Sequence, residues 1–134
     1  KKDEKKYKFN SLQKWKIFSK NSKKHAQKFK SDVLNLYNIN GKLFGFGASA
    51  RSSTLLNYCK LNNKYIDFII DKNSLKHDLY TPGTNIPIKS INNSIKDVYS
   101  KDMVLLAWNF KDEILQIMKK IKFKKKIILP IKKK

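Results

Sequence analysis

The stretch Leu43-Phe44-Gly45-Phe46-Gly47-Ala48-Ser49-Ala50 constrains the fold of this chain more than any other. A short apolar run gives way to glycines and then to helix-compatible residues, in the pattern G-x-G-x-x-A. Glycine at such a turn lets one backbone approach another, and amides at a helix start attract anions. The pattern carries meaning only after a strand and before a helix. Both conditions hold in the sequence. Leu43–Phe46 reads as a buried strand, and Ser52–Cys59 reads as a helix with Leu55, Leu56 and Cys59 inward. A strand feeding directly into a helix is the opening unit of a parallel α/β sheet.

The rest of the chain continues the alternation. Tyr65–Ile70 is β-branched and aromatic and stops at Asp71, which predicts a second strand. The polar stretch 72–85 holds the turn signal Thr81-Pro82-Gly83-Thr84. Ile86-Pro87-Ile88 predicts a short third strand, and Pro87, with no N–H for a ladder, puts it at a sheet edge. Ile91, Ile95 and Val98 space a short helix, and Met103–Ala107 predicts a fourth strand. Asn109 is placed to cap the next helix, with Asp112 completing a partial capping box. That helix carries Ile114, Leu115, Ile117, Met118 and Ile121 on one side, and Lys126–Leu129 predicts a fifth strand stopped by Pro130. Upstream, Leu12, Trp15, Phe18, Ala26, Phe29, Val33 and Leu36 mark a long amphipathic helix, interrupted near Asn21-Ser22 and stopped at Asn40-Gly41. The expected fold is α/β: a Rossmann-like parallel sheet of about five strands in the order 3-2-1-4-5, with right-handed crossovers and an N-terminal long helix beside it. Residues 1–40 would form a basic helical segment and 41–134 the sheet domain.

Composition narrows the function classes. At 134 residues and 40% apolar, the chain supports one core. The single Cys59 excludes an internal disulfide framework and a cysteine-cluster zinc site, and His25 and His77 lack companions at metal-ligand spacing, so no metal is expected. No apolar run nears the roughly 18 residues of a membrane helix, and no signal-peptide core follows the N-terminus. The expectation is a soluble, cytoplasmic protein without a membrane partner. The opening Lys1-Lys2-Asp3 lacks an initiator Met and reads as part of a longer product.

The charge is lopsided: 31 basic residues against 10 acidic, for a net +21. Thirty of the basic residues are Lys, and Arg51 is the sole guanidinium. The excess is +9 in residues 1–40, +9 in 119–134 and +3 between. Lys and Asn share A/T-rich codons, so base composition alone accounts for such a bias, whereas nucleic-acid surfaces ordinarily use Arg as well. Solvated lysines and a standalone basic module for RNA or DNA both remain open. Either would attract polyanions nonspecifically at low salt.

In sheets of this order, ligands bind beyond the C-terminal strand ends, where strands 1 and 4 diverge. The loops expected there are Gly45–Arg51 and Trp108-Asn109. Gly45, Gly47, Ala48 and Ser49 offer backbone to a phosphate, and Arg51 offers a bidentate grip. Asp71, 24 residues after Gly47, could bond a ribose hydroxyl as in an NAD-type dinucleotide site. Trp108 could stack on a ring and Asn109 bond its edge. The same residues also read as a ligand-free turn, a surface arginine, a core plug and a helix cap. Ser49, Ser52 and Ser53 form no G-x-S-x-G elbow, Glu113 is a helix N-terminal carboxylate, and no catalytic residue is assigned.

Several blocks together carry a resemblance. Phe46-Gly47-Ala48-Ser49-Ala50-Arg51, Thr54-Leu55-Leu56-Asn57-Tyr58-Cys59, Ile70-Asp71-Lys72-Asn73, Lys76, Tyr80-Thr81-Pro82-Gly83-Thr84, Ile86-Pro87-Ile88, Ala107-Trp108-Asn109-Phe110 with Asp112-Glu113-Ile114, and Leu129-Pro130 follow in order. The chain thereby resembles the C-terminal domain of the S-adenosylmethionine-dependent sugar C-methyltransferases, from about Leu43 to Pro130, and the preceding helix fits as well. The resemblance implies a Rossmann-like domain that helps hold a nucleotide-linked sugar. It also implies a parent enzyme whose zinc-binding motif and S-adenosylmethionine-binding domain lie outside these residues. The glycine motif would then not be the methyl-donor site, this chain would hold no cofactor of its own, and alone it would catalyse nothing. Two departures stand out. Arg51-Ser52 occupies the place of the family's usual lysine and glycine, and the tail Lys132-Lys133-Lys134 is more basic than expected.

Overall fold

Strand β1 (Leu43–Phe46) is buried along its whole length, and its side chains alternate between two cores. Leu43 points into one, Phe44 and Phe46 into the other. Such two-sided burial requires helices on both faces of the sheet. The computed structural model describes residues 24–129 and shows this architecture. Helix α1 covers 24–40 of the described chain, and its Ala26, Phe29, Val33 and Leu36 are buried with Leu43. The expected stretch from Leu12 to the break near Asn21-Ser22 lies outside the described residues, as does the tail beyond Leu129.

After β1 come α2 (Ala50–Cys59), β2 (Ile66–Ile70), β3 (Ile88–Lys89), α3 (Ile95–Ser100), β4 (Met103–Leu105), α4 (Lys111–Lys120) and β5 (Ile127–Ile128). The strands form one five-stranded sheet in the order β3-β2-β1-β4-β5, every pairing parallel. Order and class are those predicted from the sequence. Helices α1 and α2 cover the face with Leu56, Cys59, Ile66, Ile69 and Val104, while α3 and α4 cover the face with Phe68, Ile70, Met103, Leu105 and Ile114. β3 is an edge strand, and Pro87 precedes it in an isolated antiparallel bridge with Tyr80, where its missing N–H costs nothing.

Three local features depart from the sequence expectations. β4 ends at Leu105 rather than Ala107, because the N–H groups of both Leu106 and Ala107 turn to donate to the Phe46 carbonyl, at 2.9 and 3.1 Å. Leu55 is only partly buried, so the inward face of α2 rests on Ser52, Leu56 and Cys59. Asn109 does not cap α4. Trp108–Phe110 forms a separate 3-10 turn, Phe110 takes the cap position without a side-chain bond, and Asn109 is exposed. The capping box lies instead at α2, where Ser49 and Ser52 bond each other's backbone N–H reciprocally, at 3.2 and 2.8 Å.

At the N-terminal edge of the sheet, buried Asp102 ties three elements together. Its carboxylate accepts from the Asn40 side chain at 2.9 Å and from the Lys126 backbone N–H at 3.1 Å. The end of α1 and the starts of β4 and β5 are thereby joined.

Candidate functional site

At the C-terminal ends of β1 and β4, glycine lets two loops come together. Gly47 has φ +102°, and a Cβ there would stand 2.3 Å from the Ala107 Cβ and 2.9 Å from its backbone nitrogen. Only a residue without a side chain lets the β1–α2 turn pass so close to the end of β4. Gly45 is different: it sits inside β1 against Leu106 and Ile69, so its missing side chain serves sheet packing.

The loop amides expected to face a phosphate are largely spoken for. Gly47 N–H donates to the Ile70 carbonyl at 2.7 Å, Ala48 N–H to Asp71 Oδ2 at 2.8 Å, and Ser49 N–H to Ser52 Oγ at 2.8 Å. The other oxygen of Asp71 accepts the Asn73 N–H at 2.8 Å, and the His77 ring reaches the Asp71 carbonyl at 2.6 Å. Asp71 therefore acts as a strut between the glycine turn and the end of β2. These residues do not fit S-adenosylmethionine or a dinucleotide held in the usual manner, because both the amide cradle and the ribose-binding carboxylate already have internal partners.

Other predicted residues do converge. Arg51 in the first turn of α2 lies with its guanidinium 5.7 Å from the centre of the Trp108 ring, across the divide between the β1–α2 and β4–α4 loops. A hollow of about 300 Å³ is lined by Gly47, Ala48, Ser49 and Asp71 together with Ala107 and Phe110, which flank the Trp108-Asn109 pair in sequence, while Arg51, Trp108 and Asn109 themselves are outside its lining. Asn109 is exposed.

Sequence reasoning assigned no site role to the cations on the far wall. Lys76, in the 3-10 turn Ser74–Lys76, donates to the Ala48 carbonyl at 2.5 Å and stands 3.9 Å from Asp71 Oδ2. Lys72 and Glu113 form an exposed ion pair, and both line the same hollow, bringing the end of β2 to the first turn of α4. A second hollow of about 450 Å³ lies on the other side of Lys76, between the start of α2 and the loop bearing Tyr80 and Pro82. The signal for Lys76 was its place one short turn beyond Asp71-Lys72-Asn73, where Asn73 caps the turn by accepting from the Leu75 N–H at 3.0 Å. That position became a site only once the sheet order was known.

Among the described residues, no three His, Cys, Asp or Glu side chains gather as a metal site, and no helix is long and apolar enough to cross a membrane.

Comparison with known proteins places the chain in company. The family model described as "C-methyltransferase C-terminal domain" matches residues 1–131. The C-methyltransferase NovU of Streptomyces niveus is 38% identical over 74 residues, which is 53% of this chain and 17% of the relative's length.

Proposed function

The chain belongs to the C-methyltransferase C-terminal domain family, and from that premise we propose that it holds the substrate of a carbon-methylating enzyme, a nucleotide-linked sugar. S-adenosylmethionine supplies the methyl group when bound elsewhere in the parent enzyme, and the present residues bind and orient the acceptor. The observation that carries this reading is the meeting of Arg51 and Trp108 across the strand divide, where the same two loops, through Ser49 and Ala107, line a hollow that also presents Lys72 and Lys76. A guanidinium and ammonium groups suit phosphate, and an indole suits a ring. Gly47, Ala48 and Ser49 shape the floor with Gly45 behind them in β1, Asp71 braces it, and Asn109 lies exposed next to Trp108 in the chain. On this reading the methyl donor and the base belong to other parts of the parent enzyme, and the isolated chain is expected to be inert.

An NAD-type site is less well supported, since the carboxylate it needs at Asp71 is bonded to Ala48 and Asn73. The test is calorimetry of the 134-residue chain with dTDP-sugars, GDP-sugars, NAD and a short RNA at about 150 mM salt, where the Debye length is about 8 Å. A sugar nucleotide should bind, Arg51→Ala should weaken it about tenfold, as for loss of a bond to a charged group, and Trp108→Ala should weaken it by about as much through the lost stacking face. Tight, salt-sensitive RNA binding with silence from every sugar nucleotide would replace this reading with the polyanion one.

A further inference from the structure

The two hollows differ in charge. The first carries Lys72 and Lys76 against Asp71 and Glu113, while the only charged residue lining the second is Lys76. An anion therefore meets less opposition on the second side, and a hydroxyl group finds a carboxylate acceptor on the first at the exposed Glu113, Asp71 being held by Ala48 and Asn73. Lys76 borders both hollows, and its ammonium is pinned by the Ala48 carbonyl with one of its three N–H donors, which fixes the charge in place.

The second hollow also has an aromatic wall. Tyr80 is 64% exposed, with Leu79 beside it at 54%. The segment carrying them is unusually well tied for an exposed loop. Thr81 N–H donates to the Ile86 carbonyl at 2.9 Å, and Thr81 Oγ1 accepts from Ile86 N–H at 2.9 Å and touches Thr84 Oγ1. Asn57 of α2 donates to the Pro82 carbonyl at 3.0 Å, and the Asn57 side chain fills the space where a Cβ of Gly83 (φ +78°) would lie. Tyr80 itself is bridged to Pro87. An exposed ring on a preorganised loop loses little entropy when something stacks on it.

We propose that the second hollow seats the base of a nucleoside diphosphate, stacked on Tyr80, with its phosphates at Lys76. The linked sugar then runs into the first hollow, toward Lys72 and Glu113. This rests on the nucleotide-sugar reading and adds the direction in which the ligand lies.

The experiment uses the 134-residue chain with dTDP, GDP and inorganic pyrophosphate, followed by calorimetry and by NMR of the aromatic and methyl resonances. Both nucleotides should shift the Tyr80 ring and Leu79 methyl signals. Tyr80→Ala should weaken dTDP and GDP about tenfold, in the range of a lost base–aromatic stack, and leave pyrophosphate unchanged. Tyr80→Phe should keep wild-type affinity, and Lys76→Gln should weaken all three. Nucleotide binding that ignores Tyr80→Ala and shifts only Trp108 and Phe110 would overturn this placement and leave the substrate reading standing. No binding of either nucleotide would overturn both, leaving Leu75, Leu79 and Tyr80 as a face for a protein partner.

Discussion

At the scale of single residues, the cleft is built by side chains that face inward for the protein's own use. Asp71 shows this best: its position suits a ribose, yet both oxygens accept backbone N–H groups at 2.8 Å. Nothing in the local sequence distinguishes those two uses, because the amide of Ala48 reaches Asp71 only after β1 and β2 pair. Cys59 is a second case. Buried on the inward side of α2, its thiol donates to the Ala26 carbonyl at 3.6 Å, and burial pushes its pKa above the ordinary 9.0, partly offset by the Lys30 charge. The folded chain thus holds this proton more tightly than the unfolded chain does. The stabilisation is complete below pH 9.0 and is lost as pH rises through the folded value. Urea midpoints measured from pH 8 upward should fall through that window, and Cys59→Ala, which has no proton to lose, should flatten this part of the profile. The inward position of Cys59 was legible from the helix period alone. The chemistry around Asp71 was not.

At the scale of elements, capping and clamping divide the work. The capping box at Ser49 and Ser52 starts α2, with Ser52 buried at 2% exposure. The serine spacing was visible in the sequence, but Asn109 offered the more conventional signal and was misplaced by one 3-10 turn, since Trp108–Phe110 winds before α4 starts. Asp102 joins α1, β4 and β5 through bonds to partners at sequence separations of 62 and 24. Separations of that size leave no periodic trace. Asp102→Ala would strip the acceptor from Asn40 and from the Lys126 N–H. The expected cost is about 2 kcal/mol, from donors left unpaired in a partly buried place. Denaturant unfolding should show it as a lowered midpoint with unchanged slope, and Asp102→Asn, which keeps an acceptor, should lose less.

At the scale of the whole molecule, the alternation of strand and helix narrows the sheet to a few parallel arrangements, of which the expected order β3-β2-β1-β4-β5 is the one observed. The net +21 is a property of the same scale. With lysine nearly its only source, it should produce sequence-blind binding to single-stranded RNA. If about six phosphates are neutralised, a plot of log affinity against log salt should have a slope near about −4. A shallow slope in filter binding across 50 to 200 mM salt, as rough working limits, would contradict this. The Asp102 clamp has one more consequence. It fastens the sheet at the edge opposite the loops that carry Arg51, Lys76, Tyr80 and Trp108. Exposed side chains on those loops can therefore be exchanged with little penalty to the folded state, so long as Gly47, Asp71 and Gly83 keep the turns in place.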